Sequence, residues 1–150
     1  MSASASFVKS LLAQCCLGGI CEWVVCPGAR NMALLQVLAA AEDLVKWTHF
    51  DERSAAFFAL GRIQDMGLPV AVVTTSGTAA AELLPAVVEA YYQRRPLLLL
   101  TADRPADYRG SAAPQAIEQA DLFGIYAPTI DLETLDSLVK GGERVLDIGT

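Results

Sequence analysis

A chain of 150 residues, 53% apolar and 19% charged, has the material for one buried core and is short for a complete two-substrate enzyme. Its 11 Lys and Arg against 17 Asp and Glu leave a net charge of −6 with no basic stripe, which excludes electrostatic capture of nucleic acid. A mean hydropathy of +0.38 with so few charges predicts more apolar surface than a solitary domain exposes, and hence a partner surface.

Residues 6–17 place Phe7, Leu11, Leu12 and Cys15 at helical spacing, and Gly18-Gly19 ends the segment. Residues 11–26 are apolar enough to raise a secretory signal. They follow a single Lys, however, are interrupted by Gly18-Gly19 and Glu22, and lack a small-residue cleavage site. With no stretch long enough for a membrane span, the expectation is a soluble cytoplasmic protein. Cys15, Cys16, Cys21 and Cys26 have neither C-x-x-C spacing nor a His companion, so they predict small buried hydrophobes in a reducing compartment.

Residues 20–26 read as a buried strand closed by Pro27-Gly28, and residues 31–41 as an Ala- and Leu-rich helix. A second strand, 45–50, leads into a helix over 52–66. Asp51 there is a good N-cap, and Glu52 lies in the first turn, where the helix dipole favours a carboxylate. Gly67-Leu68-Pro69 resets the chain into a central strand at 70–74. A helix over 78–94 follows with a kink at Pro85, then a fourth strand at 96–101. Beyond a loop rich in Asp, Arg, Pro and Gly, the pattern predicts a short helix at 115–122, an extended piece at 127–132 and a weaker helical stretch at 132–148.

Apolar strands alternating with helices predict a three-layer α/β/α domain, one unit over 1–150, around a mostly parallel sheet with right-handed crossovers. The two sheet edges differ in chemistry. Turns at the strands' N-terminal edge, Gly18-Gly19 and Gly67-Leu68-Pro69, are plain connectors. Those at the C-terminal edge carry Arg30, His49, Glu52, Thr75-Ser76-Gly77, Asp103 and Arg104. In open α/β sheets ligands bind at that edge, so Glu52 is the leading catalytic candidate. Each turn also has a structural alternative. Glu52 opens a helix for local reasons, Arg30 is a solvated cation, Ser76-Gly77-Thr78 is a simple cap or a small anion cradle, and Asp103 and Arg104 form a local ion pair. His49, the single histidine, reads as a packed structural residue. No G-x-G-x-x-G and no Walker lysine is present, which argues against dinucleotide and P-loop nucleotide binding.

The motifs V-C-P-G-A-R, T-H-F-D-E-R, T-T-S-G-T-A, L-T-A-D-R-P and P-Q-A-I stand in this order between Val25 and Ile117, within a resemblance that covers about residues 7 to 132. Together they resemble the pyrimidine-binding N-terminal domain of a family of thiamine diphosphate-dependent enzymes. These are the 2-succinyl-5-enolpyruvyl-6-hydroxy-3-cyclohexene-1-carboxylate synthases of menaquinone biosynthesis. The resemblance implies the thiamine diphosphate-binding fold and a transferase that decarboxylates 2-oxoglutarate and adds the resulting carbanion to isochorismate. In that family a glutamate hydrogen-bonds N1′ of the aminopyrimidine and favours the imino tautomer, whose exocyclic nitrogen takes the proton from thiazolium C2; Glu52 matches it. Thr75, Ser76 and Gly77 match the turn beside the pyrimidine. Arg30, Arg104 and Gln115 match positions that hold substrate carboxylates or line the pocket, a task suited to arginine's two-pronged fork.

The same resemblance implies that Mg²⁺ and the diphosphate are held by a further domain, with no metal ligand here, and that the enzyme is a homodimer or tetramer. On that view the chain is a fragment, a truncated product or one subunit of a split enzyme, inactive alone. Ala55, Ala56, Phe57, Ala59 and Leu60, with Ala79, Ala80, Leu83 and Leu84, are the expected material of a face shared with a second copy. Ala29 stands where the family usually has serine, and Pro114 where it usually has a polar residue, two departures that bear on the substrate contacts the resemblance implies. Two other readings stay open: the pyrimidine-binding subunit of another 2-oxoacid decarboxylase, and a non-catalytic binding module of the same fold.

Overall fold

Four short strands, β1 (Glu22–Val25), β2 (Val45–Thr48), β3 (Val70–Thr74) and β4 (Leu97–Thr101), pair in parallel in the order β2-β1-β3-β4. The structure, a computed structural model, describes residues 3–132, with side chains from residue 6 onward. Helix α1 (Ala3–Leu17) precedes β1, α2 (Met32–Ala40) joins β1 to β2, and α3 (Glu52–Met66) joins β2 to β3. Helices α4 (Thr78–Ala81) and α5 (Leu84–Gln93) lead to β4.

Strand alternation sends successive side chains to opposite faces, and each face has its own helices. Trp23, Val25, Ala71 and Val73 pack with Val8, Leu12 and Cys15 of α1 and Leu38 of α2. Val24, Val70 and Val72 pack with Ala55, Ala56, Ala59, Leu60 and Ile63 of α3 and Ala86, Val87 and Ala90 of α5. The domain is therefore the three-layer α/β/α arrangement expected. Its interior strands β1 and β3 are buried on both faces, while β2 forms an exposed edge.

Helix α3 and strand β3 have the bounds read from the sequence. Asp51 Oδ1 accepts from Ser54 N at 2.7 Å, closing the first turn of α3, and Gly67, at φ 71, ends the helix with its N–H on Ile63 O. The helix expected over 78–94 is instead two. Pro85 occupies the first turn of α5, where an amide has no intrahelical acceptor, so it starts a helix rather than kinking one. No helix forms at 115–122; Gln115 (φ 66) and Asp121 (φ 55) both take left-handed backbone, because tertiary hydrogen bonds claim this segment. Residues 127–132 pair with no strand, and residues 133–148 of the weaker helical stretch lie outside the described residues.

Two further expectations are corrected. Cys15 and Cys26 are buried, but Cys16 and Cys21 are exposed, because Cys16 falls on the outer side of α1 and Cys21 in the turn before β1. The small-residue face is covered within the domain as well: Ala55, Ala56, Ala59, Leu60, Ala79, Ala80 and Leu83 are all buried against the sheet and neighbouring helices. What remains outside near that corner is aromatic, with Phe57 at 44% exposure and Phe50 at 100%.

Candidate active site

The strand registers align Val25 with Thr48 and with Val73, and Thr74 with Thr101, so the four following loops leave the sheet at one edge. That edge gathers Arg30, Glu52, Thr75, Ser76, Gly77 and Arg104, which lie far apart in the chain. Gln115 joins them from the segment that folds back over it.

Glu52 is the first residue of α3, directly after the Asp51 cap and half-buried. Its carboxylate forms no hydrogen bond or ion pair with the described residues, although it opens a helix. The charges of Glu52 and Asp51 reach Cys26 at the end of β1 and, after burial itself, push that thiol up to about 12. Glu52 is thus within electrostatic reach of the end of β1. His49 extends the ladder through its N–H on Val25 O, and its ring lies 4.8 Å from that of Phe58, which packs at 5.3 Å on Trp47.

The loop after β1 is held by Asn31, 2% exposed, whose Oδ1 accepts from Gly28 N and whose Nδ2 donates to Cys26 O, both at 2.9 Å. Arg30 is exposed beside it. The sequence reading took Asn31 only as a helix start; its spacing three residues after Gly28 is the signal for this side-chain turn.

The turn after β3 is fastened from outside. Gly77, at φ 79 and ψ −131, donates its N–H to Gln119 Oε1 at 2.8 Å, and Thr78 N donates to Gln115 O at 3.2 Å. Gln115 Nε2 donates in turn to Ser76 O at 3.1 Å. A Cβ on Gly77 would stand 1.8 Å from Gln115 O, so only glycine permits this approach. Because these two amides are engaged within the chain, the turn is no anion cradle; it offers the half-buried Thr75, while Ser76 is buried beneath it. Gln119, buried and essential to this fastening, was missed by sequence reasoning, since nothing local marks it.

Beyond β4, the Asp103 carboxylate pairs with Arg109 at 3.3 Å, and Arg109 with Asp131 at 2.8 Å, so the expected pair of Asp103 with the Arg104 guanidinium does not form. Asp103 Oδ1 accepts only the Arg104 backbone N–H. The Arg104 guanidinium reaches Pro114 O through one nitrogen, and its Nε is buried without a partner. A backbone carbonyl serves here, so this contact survives the proline at 114. Arg30, Asn31, Asp103, Arg104 and Gln119 line the upper end of a broad groove that runs along β4; Glu52, Thr75, Ser76 and Gly77 lie outside it.

The C-terminal edge of the sheet thus carries a carboxylate with no partner among the described residues at a helix N-terminus, a glycine turn fastened from the following segment, and two arginines. The chain belongs to the family described as thiamine pyrophosphate enzyme, N-terminal TPP binding domain, whose pattern matches residues 7–122. Among curated relatives it is 94% identical over 138 residues to the 2-succinyl-5-enolpyruvyl-6-hydroxy-3-cyclohexene-1-carboxylate synthase of Akkermansia muciniphila, covering 92% of this chain and 26% of that protein. Proteins of the same name from Bdellovibrio bacteriovorus and Geobacillus thermodenitrificans are 51% identical over 120 residues and 53% over 123. These alignments cover 79% and 82% of this chain but 23% and 20% of the relatives, so the chain spans about a quarter of their length or less. Among the described residues, no group of three or more His, Cys, Asp or Glu is placed to hold a metal, and no helix is long and apolar enough to cross a membrane.

Proposed function

We propose that this chain is the pyrimidine-binding domain of a thiamine diphosphate-dependent synthase that joins 2-oxoglutarate, after loss of carbon dioxide, to isochorismate. The observation that carries the reading is Glu52, a carboxylate with no partner among the described residues at the N-terminus of α3, on the C-terminal edge of the sheet. When bound, the cofactor supplies the electron sink for decarboxylation and carbon–carbon bond formation. Glu52 would share a proton with N1′ of the aminopyrimidine and so control the basicity of its exocyclic nitrogen. Thr75, Ser76 and Gly77 would lie beside the pyrimidine. Arg104, through the end of its guanidinium, and the exposed Arg30 would bind carboxylates, and Gln115 would orient the substrate beside them.

Mg²⁺ and the diphosphate fall to a different domain, so the chain alone makes no product. A second copy completes the site, and the exposed Phe50 and Phe57 beside Glu52 support that contact. The high identity to the Akkermansia synthase allows a direct test, in which this chain replaces the matching part of that enzyme. Glu52→Gln in the graft should slow exchange of the cofactor's C2 proton, followed by quenched NMR, by on the order of 10²–10⁴ with binding largely kept. Normal exchange would overturn the role of Glu52 and this reading with it.

A further inference from the structure

Gln119 belongs to none of the recognisable motifs, yet it is 8% exposed and its amide joins three segments. Oε1 accepts from Gly77 N at 2.8 Å, while Nε2 donates to Ala102 O at 2.8 Å and to Thr101 Oγ1 at 3.1 Å. The backbone partners dictate the orientation of the amide. Flipped, it would turn its NH₂ toward the Gly77 N–H and its oxygen toward the Ala102 carbonyl. Gly77 precedes α4 in a backbone region that only glycine adopts freely, and Gln119 is the acceptor that fixes its amide. Since that peptide plane joins Ser76 to Gly77, Gln119 sets the tilt of the turn. The segment carrying Gln119 also carries Gln115, bonded to Ser76 and Thr78, and Pro114, bonded to Arg104.

We infer that Gln119 is a positioning residue that locks the turn of Thr75, Ser76 and Gly77 to the end of β4. By doing so it couples the surface beside the cofactor's pyrimidine to the placement of Gln115 and Arg104. The inference rests on the cofactor role proposed for that turn and assigns the element that holds it in register with the carboxylate-binding side. Glutamate cannot substitute: it accepts from Gly77 but sets a carboxylate against the Ala102 carbonyl, where a donor is required. Methionine keeps the volume and gives up all three hydrogen bonds.

In this chain, Gln119→Met should speed hydrogen exchange at the Gly77 amide by about tenfold or more while the amides of β1 and β3 keep their protection. In the grafted synthase, Gln119→Met and Gln119→Glu should each raise KM for thiamine diphosphate and for the carboxylate substrates together, by about tenfold, with kcat changed less than about threefold. A purely structural role would lower the fraction of active enzyme and leave both KM values as in the wild type, and that result overturns the inference. Should the methionine variant fail to fold, Thr101→Val removes one contact of the three. It should then raise the same two KM values together by a smaller factor, and unchanged values overturn the inference equally. The Glu52→Gln assay separates the two claims. Loss of C2 exchange there with unaltered KM values in the Gln119 variants defeats the positioning role alone, whereas normal C2 exchange defeats the cofactor reading.

Discussion

Gly28 and Thr75 touch across the top of the sheet: a Cβ on Gly28 would stand 2.5 Å from Thr75 Cβ and 2.8 Å from its Oγ1. The loop after β1 and the turn after β3 are thus seated on each other without room for a methyl group. Gly28→Ala should cost about 1–3 kcal/mol in urea unfolding and displace Thr75, weakening thiamine diphosphate binding in the grafted synthase. Wild-type stability and affinity together would show that the two loops slide apart freely.

Arg104 Nε is buried, so what its side chain offers a carboxylate is the guanidinium end beyond the contact with Pro114. Arg104→Ala in the graft should raise KM for a carboxylate substrate by roughly ten- to a hundredfold, the loss of one charge-assisted contact. If KM for both substrates stays constant, the residue serves only to tie down residue 114.

Glu22, 5% exposed at the start of β1, receives Arg62 Nε at 2.9 Å and the second guanidinium nitrogen at 2.8 Å, with Trp47 Nε1 at 3.1 Å. The Arg62 hydrogen bonds hold its carboxyl below the ordinary value of 4.5. A folded-state value below the unfolded one contributes stability that is complete above pH 4.5 and is lost as pH falls through the folded value. Glu22→Gln should therefore destabilise the chain by about 2–3 kcal/mol at pH 7, with the gap to the wild type closing in acid. Urea midpoints at pH 7 and at about pH 3 check this, and a gap independent of pH would refute it.

The cysteines divide by burial. Cys15 and Cys26 are pushed up to about 12, chiefly by desolvation, while Cys16 and Cys21 are accessible. Iodoacetamide at pH 8 should label Cys21 and Cys16 in the native chain, Cys16 more slowly because burial and its neighbour Cys21 raise its thiol. Cys15 and Cys26 should react only in denaturant, and early labelling of Cys26 by mass spectrometry would mean that the end of β1 is open.

Strands β1, β3 and β4, helix α3 and the Asp51 cap were legible because each is written in consecutive residues, as an apolar run, a capping side chain or a terminal glycine. The edge on which Glu52, Arg30 and Arg104 gather followed from the same local signals plus the handedness of parallel crossovers. The Gly77 to Gln119 bond spans 42 residues and the Glu22 to Arg62 pair spans 40. No local spacing encodes either. The failed helix at 115–122 has the same origin: its residues have helical spacing, but Gly77, Thr78 and Ser76 offer Gln119 and Gln115 better partners than a helix would. The alanines of α3 were misjudged because small residues suit close packing on a sheet as well as contact with a second chain.

The strand order β2-β1-β3-β4 bears on how the chain assembles during synthesis. As it leaves the ribosome, β2 can pair with β1, then β3 joins the free side of β1, and β4 joins β3. Each strand adds to an outside edge, and none has to be threaded between two strands already paired. Parallel pairing requires distant segments to meet, which slows folding and prolongs exposure of apolar surface. Stepwise growth limits that exposure to one strand edge at a time, so the nascent chain buries β1 as soon as β3 emerges. The residues that fasten the Gly77 turn come after β4, which makes the working edge the last part of the described chain to take its final form.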